Sequence, residues 1–265
     1  MTRIFEALKK TRMARPAAPP APAPLRSHPA GAAAAANPAL PMIDPARLGL
    51  APRPFQGDVD LPEDVLREMT ALRMTLETAL PPGTPRTVML LSAQQGEGTS
   101  TVAAQLAAAL AGDGRLRVLL MDVNARRPSP FVEGAGSPGA RMTPGVRPIR
   151  EGGASEAGAF DVLPVPAQAR EAGVIAAPAM REWLDSMTGR YDWIVLDGPA
   201  VMESPDAPAL AATADGVVVV IEAGRTKSPV LHRATDLLRK ARARLIGSVL
   251  NRRRLEIPEF LYRRI

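Results

Sequence analysis

The chain has 265 residues, 46% apolar and 23% charged, and a net charge of +6, which suits one domain of ordinary size plus a tail. It contains no cysteine and two histidines, so disulfides, thiolate metal sites and a histidine metal cluster are excluded. Aromatic residues make up 3% with no stacking motif, so no nucleic-acid partner is expected, and the arginine excess fits a GC-rich coding bias more simply than an acidic ligand.

Residues 1–13 read as a short basic helix. Ile4, Phe5 and Leu8 share one face, with Arg3, Lys9, Lys10 and Arg12 around it. A helix of this length is marginal alone, so docking on a partner or membrane surface and a frayed terminus are equal alternatives. It carries no long apolar run, hence no secretory signal. No segment of the chain approaches the ~20 apolar residues that span a bilayer. A cytoplasmic location is expected, with recruitment to the inner face of the membrane. Residues 14–57 hold eleven prolines between Pro16 and Pro54, interleaved with alanine. Such a stretch cannot bury enough apolar surface to offset its ordering entropy, and it reads as a disordered linker. The folded domain is expected at 58–256, with 257–265 as a tail.

Leu61–Leu80 repeats apolar residues at threes and fours, the period of a helix, and Pro81, Pro82 and Gly83 stop it. Thr87–Leu91 is a short apolar strand, Ser100–Ala111 an Ala/Leu helix and Arg117–Met121 a second buried strand. Between Arg126 and Ser155 the prolines and glycines favour loop. Phe160–Leu163 is a short strand, Ala179–Thr188 a helix, Trp193–Leu196 and Gly216–Ile221 buried strands. Val230–Ala243 is a helix and Arg244–Val249 ends the series as a strand. Apolar strands alternating with helices predict an α/β fold of three layers, a mostly parallel sheet with helices on both faces.

Three motifs lie on successive strand ends. The first runs from Ser92 to Thr101 between a strand and a helix, where Gly96 and Gly98 let the backbone wrap an anion and the N–H groups of the helix start point at it. A phosphate loop would place lysine after the last glycine, and here Thr99 stands there. Ser100 keeps the hydroxyl that touches Mg²⁺, and Thr101 stands where a dinucleotide fingerprint needs its third glycine, which weakens that alternative. The bland reading is an ordinary glycine turn. The second motif places Asp122 after a core strand, with Arg126 or Arg127 within reach of phosphate; its alternative is a solvated turn. The third places Asp197 after Ile194–Leu196, the usual position of a Mg²⁺-positioning aspartate, or else a helix cap.

These residues carry a resemblance. The chain resembles the bacterial tyrosine autokinases of capsule and exopolysaccharide synthesis, cytoplasmic relatives of the MinD/ParA ATPases. It does so from about Leu61 to Arg254, in "ALRMTLE", "SAQQGEGTST", "LLMDVNARRP", "YDWIVLDGPAV", "SPDAPALAATADGVVVVIEAGRTK" and "LIGSVLNRR", and in "TRIFEALKK" at the start. The resemblance implies a P-loop fold binding ATP/ADP with Mg²⁺. It makes Asp122 and Asp197 catalytic carboxylates, Ser100, Asp122 and Asp197 the metal ligands, and Gly96, Gly98, Thr99, Ser100, Thr101 and Arg126 the phosphate-side contacts. Asn251 falls near the base and Asp206 in a switch region. It also implies a homo-oligomer, a membrane-anchored polysaccharide chain-length regulator as partner, and a tyrosine in the tail, Tyr262, as phosphoacceptor.

The chain departs from that family at Thr99, at Asn124 in place of a second aspartate, and in the ring-forming helix, where Arg67, Thr70 and Arg73 fill the spacing and only the last matches. Its tail holds one tyrosine. Tyr191, the other, is expected in the core. A lysine at ~4 Å from a phosphate charge supplies on the order of 4 kcal/mol at an effective dielectric of about 20, so its loss points to weak or absent tyrosine phosphorylation. An active kinase using another cation and a MinD/ParA-type switch are the alternatives.

Overall fold

The computed structural model describes residues 53–55, 59, 61–81, 83, 85–112, 114–129, 132 and 160–253. The basic helix expected at 1–13, most of the linker, the tail and Tyr262 lie outside the described residues. The strands are β1 (Arg53–Pro54), β2 (Arg86–Ser92), β3 (Val118–Asp122), β4 (Asp161–Leu163), β5 (Trp193–Asp197), β6 (Gly216–Glu222) and β7 (Leu245–Asn251). The helices are α1 (Glu63–Ala79), α2 (Thr99–Ala111), α3 (Ala167–Ala172), α4 (Ala177–Ser186), α5 (Ala207–Ala211) and α6 (Ser228–Lys240).

The seven strands form one sheet in the order β1-β4-β3-β5-β2-β6-β7. Every pairing is parallel except β1 with β4. Successive side chains of a strand point to opposite faces, and the central strands are apolar on both. Val88, Leu90, Val118, Leu120, Trp193, Val195, Val218 and Val220 pack in one core with Leu76 of α1 and Val102, Leu106 and Leu110 of α2. Met89, Leu91, Leu119, Met121, Ile194, Leu196, Val217 and Val219 pack in the other with Met180 and Trp183 of α4, Leu210 of α5 and Leu238 of α6. The three-layer α/β architecture is therefore as the alternation of elements predicts.

Local chemistry accounts for the ends. Leu80 leaves α1 in extended conformation just before Pro81, and Pro178 and Pro229 sit in the first turns of α4 and α6, where a missing N–H costs nothing. Arg239 and Lys240 close α6, favourable against its dipole. Arg117 and Asp192 form a two-pronged ion pair, 2.9 and 3.2 Å, that ties the start of β3 to the start of β5, and the guanidinium holds the Asp192 carboxyl below its ordinary range.

The structure enlarges the sequence reading at one boundary. Composition assigns Arg53–Phe55 to the linker, yet Arg53 and Pro54 pair with Val162 and Asp161. Phe55 is buried, stacks on Phe160 with ring centroids 4.7 Å apart, and donates its N–H to the Phe160 carbonyl at 2.8 Å. A single aromatic anchor decides the matter locally where the proline average does not. The short helices α3 and α5 lie in stretches that periodicity leaves unassigned.

Deleting a side chain that α1 inserts into the core tests this packing. Leu76→Ala is expected to cost about 2–5 kcal/mol, seen as a lower urea midpoint at unchanged slope. An unchanged midpoint would mean that α1 does not seal this face of the sheet.

Candidate nucleotide site

Parity along the strands brings the polar residues to one place. Asp122 and Asp197 are register partners at the C-terminal ends of neighbouring parallel strands, a separation of about 4.8 Å between chains. Both share the strand face of Leu120 and Val195, which is the face covered by α2. The loop after β2 opens α2 on the same face, so the three motifs meet at the C-terminal edge of the sheet, where open α/β sheets take ligands.

The loop is a tight one. Gly96 and Gly98 have φ of +83° and +90°. Gly98 is the cap of α2 and its carbonyl accepts the first helical bond, from Val102 N–H at 3.1 Å. The N–H groups of Thr99, Ser100 and Thr101 start the helix and have no carbonyl a turn before them to bond. A Cβ on residue 98 would stand 2.1 Å from Asn251 Nδ2. The glycine there makes room for another side chain of the protein as well as for the turn.

Asp122 and Asp197 are both buried. Asp122 closes the turn after β3: its Oδ1 accepts Asn124 N–H at 2.8 Å and its Oδ2 the Ser129 N–H. The solvated turn weighed from sequence is thus a buried one. Burial pushes the Asp197 carboxyl up to about 6, with the side chains of Ser100 and Ser129 pulling the other way. Ser100 and Asp197 are accordingly neighbours, as the sequence motifs require.

Thr99 is buried, and Thr101 lies exposed on the first turn of α2. Arg126 donates Nε–H to the Gly173 carbonyl at 3.3 Å and lines a cleft of about 170 Å³ with Gln95, Asn124, Arg127, Glu203 and Ser204. Asn251 donates its amide N–H to the Glu97 carbonyl at 2.9 Å. Asp206 accepts the Ser204 hydroxyl at 2.9 Å and the Ile175 N–H at 3.4 Å, bracing the loop ahead of α4. Tyr191 is in the core, its hydroxyl donated to Asp161 at 2.8 Å and its titration pushed up, first by burial and then by that bond.

Sequence reasoning missed a ring of charged residues around the loop. Glu97 is 1% exposed; its carboxylate accepts the Gln94 N–H at 3.0 Å and the Thr226 hydroxyl. Glu203 accepts the Gln95 N–H at 2.9 Å. Arg225 and Arg252 each reach a loop carbonyl, and Glu222 bridges them. The available signal was positional: Glu97 follows β2, Glu222 ends β6, and Glu203, Arg225 and Arg252 follow the C-terminal ends of β5, β6 and β7, the edge on which the loop lies.

Residues 86–248, more than half of the chain, match the model of a family described as cellulose biosynthesis protein BcsQ. The chain is 30% identical over 191 residues to the tyrosine-protein kinase YwqD of Bacillus subtilis, covering 69% of this chain and 79% of that protein. It is 29% identical over 212 residues to the succinoglycan biosynthesis transport protein ExoP of Rhizobium meliloti, covering 73% of this chain and 26% of that protein. The kinase domain of the Escherichia coli tyrosine kinase ETK shares its fold with a TM-score of 0.54 at 19% identity, over 72% of this chain and 78% of that one.

The raised Asp197 gives a signed pH dependence. The folded protein holds this proton more tightly than the unfolded one, so its contribution to stability is present at pH 4 and lost as pH rises towards 6. Asp197→Asn is expected to raise the melting temperature at pH 8 in EDTA and to change it little below pH 4. Thermal scans across that range check it, and equal shifts at both ends would contradict it.

Proposed function

We propose a function from two facts: the chain belongs to the family described as cellulose biosynthesis protein BcsQ, and it is 30% identical to a bacterial tyrosine-protein kinase. Within that family we read it as a divergent member acting in exopolysaccharide or capsule biosynthesis or export. It works with the cytoplasmic end of a membrane-anchored chain-length regulator, and its ATP-dependent tyrosine phosphorylation is weak or absent. The observation that carries this reading is Thr99, a short side chain buried at the start of α2 where a cation would grip the β- and γ-phosphates.

The remaining residues fit a Mg²⁺–nucleotide. The glycine turn and the first N–H groups of α2 form a cradle for phosphate oxygens. Ser100, Asp122 and Asp197 are the oxygen donors that would hold Mg²⁺, which when bound neutralises charge on the phosphates. Asp122 already accepts two N–H bonds, and a carboxylate offers further lone pairs. Asp197, at about 6, is mostly ionised at neutral pH. The transfer that the name of the relative YwqD implies forms a bond from a tyrosine oxygen to the γ-phosphorus, breaks the bond to the leaving ADP oxygen, and moves the phenolic proton to a base. We assign Tyr262 as acceptor and Asp122 as the carboxylate that orients it.

A second reading is supported by Arg126, exposed in the cleft beside Gln95. An arginine there would serve as the cation of an active kinase. Among the described residues no helix is long and apolar enough to cross a membrane.

Calorimetric titration of the full chain with ADP and a non-hydrolysable ATP analogue, with and without Mg²⁺, tests the reading. Weak binding that tightens at least tenfold in Thr99→Lys is expected, since about 1.4 kcal/mol per tenfold is well within the reach of one added cation. Tight Mg²⁺-dependent binding by the unaltered protein, with phosphate appearing on Tyr262, would favour the active kinase.

A further inference from the structure

Three consecutive carbonyls of the phosphate loop are taken by side chains from the ends of two other strands. Arg225, after β6, donates Nη2–H to the Gln95 carbonyl at 3.3 Å. Arg252, after β7, donates Nη1–H to the Gly96 carbonyl at 3.0 Å. Asn251 takes the Glu97 carbonyl. In a planar trans peptide the C=O and the following N–H point in opposite directions. Holding these three carbonyls outward therefore turns the N–H groups of Gly96, Glu97 and Gly98 to the loop's other side, where successive N–H groups make an anion nest.

Two features mark the arginines as placed for this. Glu222 bridges them, at 2.8 Å to Arg225 and 3.2 Å to Arg252, and its carboxyl is held below its ordinary range first by the bond from Arg225. Arg252 adopts φ +54°, a left-handed conformation that side-chain-bearing residues rarely take. Its own N–H bonds the Asn251 side-chain oxygen at 2.8 Å. The triad carries two positive charges and one negative, and it stands beside the Glu97 and Glu203 carboxylates that accept the Gln94 and Gln95 N–H groups.

We propose that Arg225 and Arg252 are positioning residues that hold the loop in its phosphate-receiving form from the outer side, in a chain whose loop lacks the inner lysine. The inference rests on the reading of the loop as a phosphate site. Its ligand class is a di- or triphosphate recognised by backbone N–H groups, whatever base it carries.

The test uses the full chain, the Arg225→Ala/Arg252→Ala pair and Arg252→Lys, each also on the Thr99→Lys background so that a weakly binding parent remains measurable. Mg²⁺–ADP and Mg²⁺–tripolyphosphate are titrated calorimetrically, and ¹⁵N-glycine spectra follow the Gly96 and Gly98 amides. The double variant is expected to lose at least tenfold affinity for both probes alike, to lose the phosphate-induced shifts of Gly96 and Gly98, and to keep its melting temperature within about 2 °C. Arg252→Lys is expected to fall between it and the parent. Affinity within twofold of the parent would overturn the inference while leaving the phosphate site standing, and a large fall in melting temperature that accounts for the lost binding would make the pair merely structural. Failure of the parent and of Thr99→Lys to bind either probe would sink the phosphate-site reading itself.

Discussion

A parallel sheet covered on both faces has no wet side, and this constraint governs where chemistry can sit. The central strands are apolar between their ends, with one core on each face. Polar side chains enter at the C-terminal edge, where Asp122, Asp197 and the loop after β2 converge. Desolvation at that edge is severe enough to push Asp197 up to about 6. The same burial that gives the fold its stability thus sets the charge state of its site.

Close backbone approach is the second requirement. The chain leaving β5 turns back on β2, with Gly198 N–H donated to the Leu90 carbonyl at 2.8 Å. A Cβ at residue 198 would come within 2.9 Å of that same carbonyl. The aspartate at the end of β5 and the phosphate loop at the end of β2 are neighbours because nothing separates their strands. The glycine after Asp197 is part of the site for that reason, with no chemistry of its own.

The core strands and long helices were legible because each is an uninterrupted apolar run or a clear three-four repeat bounded by proline or glycine. Asp122, Asp197 and the glycine turn were legible because each directly follows such a run. The ring around the loop was not. Glu203, Arg225 and Arg252 lie over a hundred residues from Gln95 and Gly96, and which strand ends become neighbours depends on the strand order. β5 inserts between β3 and β2, and β6 follows on the other side, an arrangement that no local pattern specifies. Asn251 reaches the loop through the same order of strands, which sets its amide on the Glu97 carbonyl. Arg53–Phe55 escaped notice for the opposite reason, a local anchor hidden in a proline-rich average.

The clamp on the loop has a dynamic consequence. Among the described residues β7 is an edge strand, bonded on one side only, with Leu250 54% exposed. Edge strands fray more readily than central ones. Asn251 and Arg252 both leave with β7, so a single opening event at the margin of the sheet releases two of the three outward carbonyls together. The loop begins on the central strand β2, yet its amide protons would exchange on the clock of the periphery. Rigidity at the centre of this site is borrowed from a strand at the sheet's margin.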